Sequence, residues 1–265
     1  MKQRIITAVI AAAIFIPIVI YGNIPFVILS YLMGTVALYE LLKMRKLSIF
    51  SLQGIISLLL LWIILVPKQY THVIEHFGYT KLHYIFIAVL LLLVITVITK
   101  NKTTFDHISF LLLTVVYIGM GFYYFVETRD ADNGLTYILY SLFAIWATDS
   151  GAYFIGRAMG RRKLWPEISP NKTVEGAIGG VVCAIIVGIL FSLFSNLDAS
   201  IVQLIVVSAV VAIFGQIGDL VESAYKRQYG VKDSGNILPG HGGILDRFDS
   251  LLFVWPLLHL LHFVQ

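Results

Sequence analysis

The sequence predicts an all-α, polytopic integral membrane protein with about nine transmembrane helices and a cytoplasmic N-terminus. Three observations lead there. The chain is 58% hydrophobic and only 13% charged, with a mean hydropathy of +0.87, whereas a soluble domain carries roughly a quarter charged residues. Its apolar residues gather into runs long enough to cross about 30 Å of hydrocarbon as helices. The basic residues between those runs are divided unevenly, as the positive-inside rule requires.

The expected spans are 5–22, 24–42, 50–66, 83–99, 107–126, 134–155, 174–194, 199–221 and 248–264. Lys2 and Arg4 precede the first, as in a signal peptide, but no small-x-small cleavage site follows it and a second span begins at once. It is therefore read as a retained helix. With the N-terminus inside, every basic residue except Lys68, Lys81 and Arg129 falls on the cytoplasmic side. The net charge of +4 then reflects topology and anionic head groups, and gives no reason to expect nucleic acid. The expected location is the cell membrane, multi-pass.

The first five spans are plain apolar helices except for Glu40, which is expected to make a structural hydrogen bond between helices. Segment 67–82 carries His72 and His76 four residues apart but no aligned carboxylate, and reads as an amphipathic interfacial stretch. Polar and small residues concentrate after about residue 145. Gly156 with Gly160, and Gly176 with Gly180, form GxxxG pairs that let helices approach closely. The single cysteine, Cys183, is expected as a small buried hydrophobe. The organisation predicted is an N-terminal packing and oligomerisation region, 1–130, and a C-terminal catalytic region, 131–265, with cytoplasmic loops 156–173 and 223–247.

An ionised side chain at membrane depth costs roughly 2.5–3.5 kcal/mol, so each needs a reason. Asp149 closes one apolar run, and Asp219 and Glu222 close another. Asp219, Glu222 and Ser223 share one helix face. Asp246 and Asp249 stand i, i+3 at the start of the last span. Four carboxylates, Asp149, Asp219, Asp246 and Asp249, thus lie near the inner ends of three helices. A divalent cation relieves their repulsion, and oxygen ligands without cysteine favour Mg²⁺, with room for a second, monovalent or divalent, cation. Local pairing is the competing reading: Glu222 with Lys226 at i+4, and Asp246 with Arg247.

Two further stretches suit phosphate. In Ser169-Pro170-Asn171-Lys172-Thr173-Val174-Glu175-Gly176, Pro170 breaks the chain and either Thr173 or Asn171 caps the following helix. Its free N–H groups then form an anion site beside Lys172. Residues 223–249 pack Lys226, Arg227, Lys232, Asp233, His241, Asp246, Arg247 and Asp249 among Gly230, Gly235, Gly240, Gly242 and Gly243. Cations neutralise phosphate oxygens, carboxylates hold a metal ion, and glycines bring backbone N–H groups close.

The same two stretches resemble the signature of the phosphatidate cytidylyltransferase (CDP-diacylglycerol synthase) family. The first matches Ser-Pro-x-Lys-Thr-x-Glu-Gly, with Val174 where many members have Trp. The second matches Ser-x-apolar-Lys-Arg, Lys-Asp-x-Gly, Pro-x-His-Gly-Gly and Asp-Arg-x-Asp, with Tyr225 at a position more often aliphatic. The resemblance covers roughly residues 145–250. It implies CTP and phosphatidic acid as substrates, a homodimer, and an active site facing the cytoplasm and opening to the bilayer. The acidic residues Asp219, Asp246 and Asp249, with Asp149, match its metal centre. It further implies that Lys172, Lys226, Arg227, Lys232 and Arg247 neutralise the reacting phosphates, with Asp233 beside them. Ser169, Asn171, Thr173, Gly240, Gly242 and Gly243 would contact substrate. His241 would donate a hydrogen bond, since a phosphate monoester is already an anionic nucleophile. The alternatives are a CTP-dependent polyprenol kinase, a cytidylyltransferase for another lipid phosphate and, from another class, a transporter. A transporter would place its carboxylates near the midplane rather than at one face.

Overall fold

The computed structural model describes residues 2–75, 78–197 and 199–264, without the side chain of Lys2. His76, one of the two histidines of segment 67–82, and Gln265 lie outside them. The described residues form nine α-helices: α1 (Lys2–Tyr21), α2 (Asn23–Met44), α3 (Leu52–Leu65), α4 (Lys81–Ile98), α5 (Phe105–Asp130), α6 (Gly134–Met159), α7 (Val174–Phe194), α8 (Ile201–Gln228) and α9 (Leu245–Leu260). One helix lies over each expected span. Seven are long and apolar enough to cross a membrane. The other two are shorter, α3 with 14 residues and α9 with 16. A 3-10 turn, Lys68–Val73, occupies part of the segment read as interfacial.

Helix starts follow capping chemistry. Ser51, Thr173 and Ser200 each accept a hydrogen bond from the backbone N–H three residues on, which satisfies one of the donors a helix N-terminus leaves free. Thr80 and His83 form a reciprocal capping box at α4. A departure from the all-α expectation lies in the 156–173 loop. There β1 (Lys163–Trp165) pairs antiparallel with β2 (Ser169–Thr173).

The chain divides into two compact units. The first comprises residues 1–127 and 233–245, the second 128–232 and 246–265. Residues 233–245, expected within the C-terminal region, thus belong with α1–α5. The first unit is centred on fully buried Phe26, Leu38, Leu61, Leu92, Phe122 and Phe125, with the Phe26 and Phe125 rings 4.5 Å apart. Lys81 donates to the carbonyls of Ile64 (2.9 Å) and Val66 (2.6 Å) at the end of α3 and stands 3.7 Å from the Tyr123 ring centre. A cation is favoured at a helix C-terminus.

The second unit is built on the α6–α7 pair. A Cβ on Gly176 would stand 2.6 Å from the Ala152 carbonyl, and one on Gly180 2.7 Å from that of Thr148. The Gly176/Gly180 pair therefore serves close helix packing, with Gly156 facing Gly176 across the contact, whereas a Cβ on Gly160 would meet the Gly156 carbonyl of its own turn and Thr173. Cys183 sits against Gly151 but is only half-buried, not fully buried as expected. Polar groups inside this unit are paired. The Tyr140 hydroxyl and Ser208 Oγ are 2.8 Å apart, and Trp255 Nε1 donates to Ser141 Oγ at 3.1 Å.

Candidate active site

Within the second unit, the polar ends of α8 and α9 and the hairpin strand β2 assemble charged side chains of both signs. Lys172 leaves β2 one residue before the α7 cap, and its Nζ donates to Asp219 Oδ2 at 2.5 Å. Ser223, one turn further along α8, donates to the other Asp219 oxygen at 3.3 Å. Lys226 lies between two carboxylates, 2.5 Å from Glu222 Oε2 and 2.8 Å from Asp246 Oδ1. Glu222 and Asp246 side chains retain only 2% and 4% exposure. This group survives burial because the lysine supplies the counter-charge each carboxylate needs. Asp149, Asp219 and Asp249 lie within electrostatic reach of one another, and Lys172 and Arg247 act on Asp149.

The acidic residues named from the sequence are therefore brought into one region. Among the described residues, however, no three acidic, histidine or cysteine side chains are drawn together as a ready metal cage. Asp219 and Asp246 are shared with lysines instead. Even so, the set suits a hard cation. Glu222 Oε1 is buried and accepts no hydrogen bond, and Asp249 acts electrostatically on the same carboxylate. An unsatisfied carboxylate oxygen beside further carboxylates is a donor set for Mg²⁺. In the sequence Glu222 shares a helix face with Asp219 and Ser223 and is the i, i+4 partner of Lys226, without a place in the expected metal centre. That pairing forms, and Asp246 joins it.

The hairpin also has a defined scaffold. Thr173, one of the two capping candidates, is the N-cap of α7 and accepts from Gly176 N at 3.1 Å. Glu175 accepts from the backbone N–H groups of Arg161 (3.0 Å) and Arg162 (3.2 Å). Arg227 Nε donates to the Ile168 carbonyl at 3.2 Å, and Lys163 to that of Pro170 at 2.7 Å. Arg227 thus braces the turn that presents Lys172. Ser169 is half-buried opposite Trp165, while Asn171, Lys232 and Arg247 are exposed.

The rest of the glycine-rich stretch belongs to the first unit. Asp233 is exposed. Gly240 and Gly242 flank His241 with φ of +78° and +82°, a backbone conformation open mainly to glycine. The turn they make is closed by hydrogen bonds from Leu238 N to Gly242 O (3.0 Å) and from His241 N to Leu238 O (2.8 Å). His241 Nδ1 is buried without a hydrogen-bond partner. Thr7 on α1 donates to the Pro239 carbonyl at 2.9 Å. Glu40 accepts from Ser234 Oγ and from the backbone of Ile244 and Leu245. The bond to Leu245, the first residue of α9, is the expected hydrogen bond between helices, and the bonds to Ser234 and Ile244 tie the loop before it to the same carboxylate.

The chain is similar over nearly its whole length to phosphatidate cytidylyltransferases. It is 57% identical over 262 residues to that of Bacillus subtilis, covering 98% of this chain and 97% of the relative. It is 47% identical to that of Staphylococcus epidermidis and 45% to that of Staphylococcus aureus, each over 264 residues and 98% of both chains. Residues 2–265 match the family described as the cytidylyltransferase family, and the paired lysines and carboxylates above are carried by a chain that belongs to it.

Proposed function

We propose that this chain catalyses CTP + phosphatidic acid → CDP-diacylglycerol + pyrophosphate, the activity for which its relatives are named. The observation that carries this reading is the grouping of Lys172–Asp219 with Glu222–Lys226–Asp246 at the polar helix ends of one unit. An oxygen of the lipid phosphate forms a bond to the α-phosphorus of CTP. The bond from that phosphorus to the β-phosphate oxygen breaks, and pyrophosphate leaves with the electron pair. No proton need be removed from an anionic nucleophile, so the protein's task is to position two polyanions and offset their charge.

Lys172 and Lys226 stand where phosphate oxygens could take the place of the carboxylates that now accept from them. Arg247 and Lys232, both exposed, add positive charge for the incoming polyanions. Arg227 holds the hairpin that carries Lys172. Asp219, Asp246 and Asp249, with Asp149 and Glu222, would hold Mg²⁺. The ion would neutralise the triphosphate and stabilise departing pyrophosphate. The working form is read as a homodimer in the cell membrane with this site on the cytoplasmic side, where a soluble nucleotide and a bilayer lipid can meet.

Incubating the purified protein with CTP, phosphatidic acid and Mg²⁺ tests the reading. The expected products are CDP-diacylglycerol and pyrophosphate in equal amounts. A phosphorylated polyprenol with release of CDP, from polyprenol and CTP, would overturn it in favour of a kinase.

A further inference from the structure

We infer that Glu40 is a positioning residue for the reaction: it anchors the glycine-rich loop and the start of α9 from the second helix of the chain. This inference rests on the activity proposed above. Glu40 is 2% exposed. Its Oε1 accepts from Ile244 N at 3.0 Å, and its Oε2 from Leu245 N at 3.0 Å and Ser234 Oγ at 3.1 Å. Each of these partners is a donor, which suits an acceptor-only carboxylate. Two of them are backbone N–H groups at the start of α9, those of Leu245, its first residue, and of Ile244 just before it, where a helix leaves donors unsatisfied and its dipole favours negative charge. Helices are ordinarily capped by a side chain next to them in sequence. This one is capped by a residue about 200 positions away.

Both ends of the loop meet at this one side chain. A Cβ on either Gly235 or Gly243 would collide with the Glu40 carboxyl, so the two glycines leave the space the carboxylate fills. The loop tip is held separately by Thr7 at Pro239. Asp246, Arg247 and Asp249 follow Leu245 directly on the same helix, so fixing the N–H groups at 244 and 245 fixes the origin and axial rotation of the turn that carries them. Glu40 is assigned no contact with substrate. It acts through the backbone.

The test compares full-length wild type, Glu40→Gln and Ser234→Ala in detergent, by amide hydrogen exchange and by turnover of CTP with phosphatidic acid per folded molecule. Gln keeps the volume but presents an NH₂ to donors. Glu40→Gln is expected to accelerate exchange at least tenfold within 233–246 while α6 and α7 exchange as in wild type, and to lower kcat at least tenfold. A space-filling role would leave the isosteric Gln near wild type in both readouts. Unchanged exchange in the loop, or kcat within twofold of wild type, would overturn the inference. If Glu40→Gln does not fold, Ser234→Ala decides. Turnover two- to fivefold lower with faster loop exchange supports the anchor, and wild-type behaviour in both removes it. Should wild type itself form no CDP-lipid, the proposed activity fails, while the exchange data still judge the anchor.

Discussion

Lys226 holds together two carboxylates that would otherwise repel in a buried setting. Lys226→Met should therefore destabilise the protein by about 3 kcal/mol, the lower end for breaking a buried ion pair because the lysine keeps 18% exposure. Thermal unfolding in detergent measures this, and adding Glu222→Gln should recover part of the loss. Asp246→Asn leaves Lys226 paired with Glu222, so stability should change by only about 1 kcal/mol. Cytidylyl transfer should nevertheless fall by at least about tenfold, since a charge-assisted contact is worth roughly 1.5–3 kcal/mol. Asp219→Asn differs, because it leaves Lys172 without its carboxylate. It should lose activity and a little stability together, with a weaker response of rate to Mg²⁺. Wild-type rates and Mg²⁺ response in both Asn variants would show that these residues only balance lysines. Much of this cluster was legible in the sequence, because Asp219, Glu222 and Lys226 follow helical spacing on one face. The role of Glu40 was not, since its partners lie 194 to 205 positions further along the chain and no local periodicity encodes that.

Among the elements, the α6–α7 pair was the most readable, for small residues four apart have few uses in an apolar helix other than close approach. Gly180→Val places a Cβ 2.7 Å from the Thr148 carbonyl oxygen, well inside ordinary contact distance. Overpacking of this kind costs about 1–3 kcal/mol, and the expected drop in melting temperature is about 3 °C or more. Since Thr148 precedes Asp149, activity should fall further than stability alone explains. An unchanged melting temperature would mean the helices can part there without cost. The β1–β2 hairpin was not readable. Ser169-Pro170-Asn171-Lys172-Thr173 has turn composition and a proline, which argues against a strand. The strand exists because tertiary contacts impose it. Glu175 fixes the backbone at Arg161 and Arg162, Lys163 holds the Pro170 carbonyl and Arg227 the Ile168 carbonyl. Proline is tolerated in a sheet of only two strands, where each strand has one unpaired edge.

At the scale of the whole chain, hydropathy located the nine helices of the described residues with ends within about four residues, except that α8 runs on to Gln228, seven past the expected 221, because in lipid a helix is the one way an open chain satisfies its backbone. Charge adds the orientation. By the positive-inside rule, an arrangement that leaves only Lys68, Lys81 and Arg129 outside would put loops 156–173 and 223–247 on the cytoplasmic side and the α7–α8 connection on the other. Lys81 also shows why such counts tolerate exceptions, for it is held by helix-end carbonyls whichever side it faces. The arrangement can be tested with single cysteines in a Cys183→Ala background. Asn196 and Lys232 are both exposed and make better probes than Ser234, which is buried against Glu40. In sealed, right-side-out vesicles, a membrane-impermeant maleimide should label Asn196→Cys and leave Lys232→Cys unlabelled until detergent is added. Inverted vesicles should reverse the pattern. Labelling of both positions from one side would mean that α8 does not cross the bilayer. The carboxylates at its end would then need another account of how they reach a cytoplasmic nucleotide.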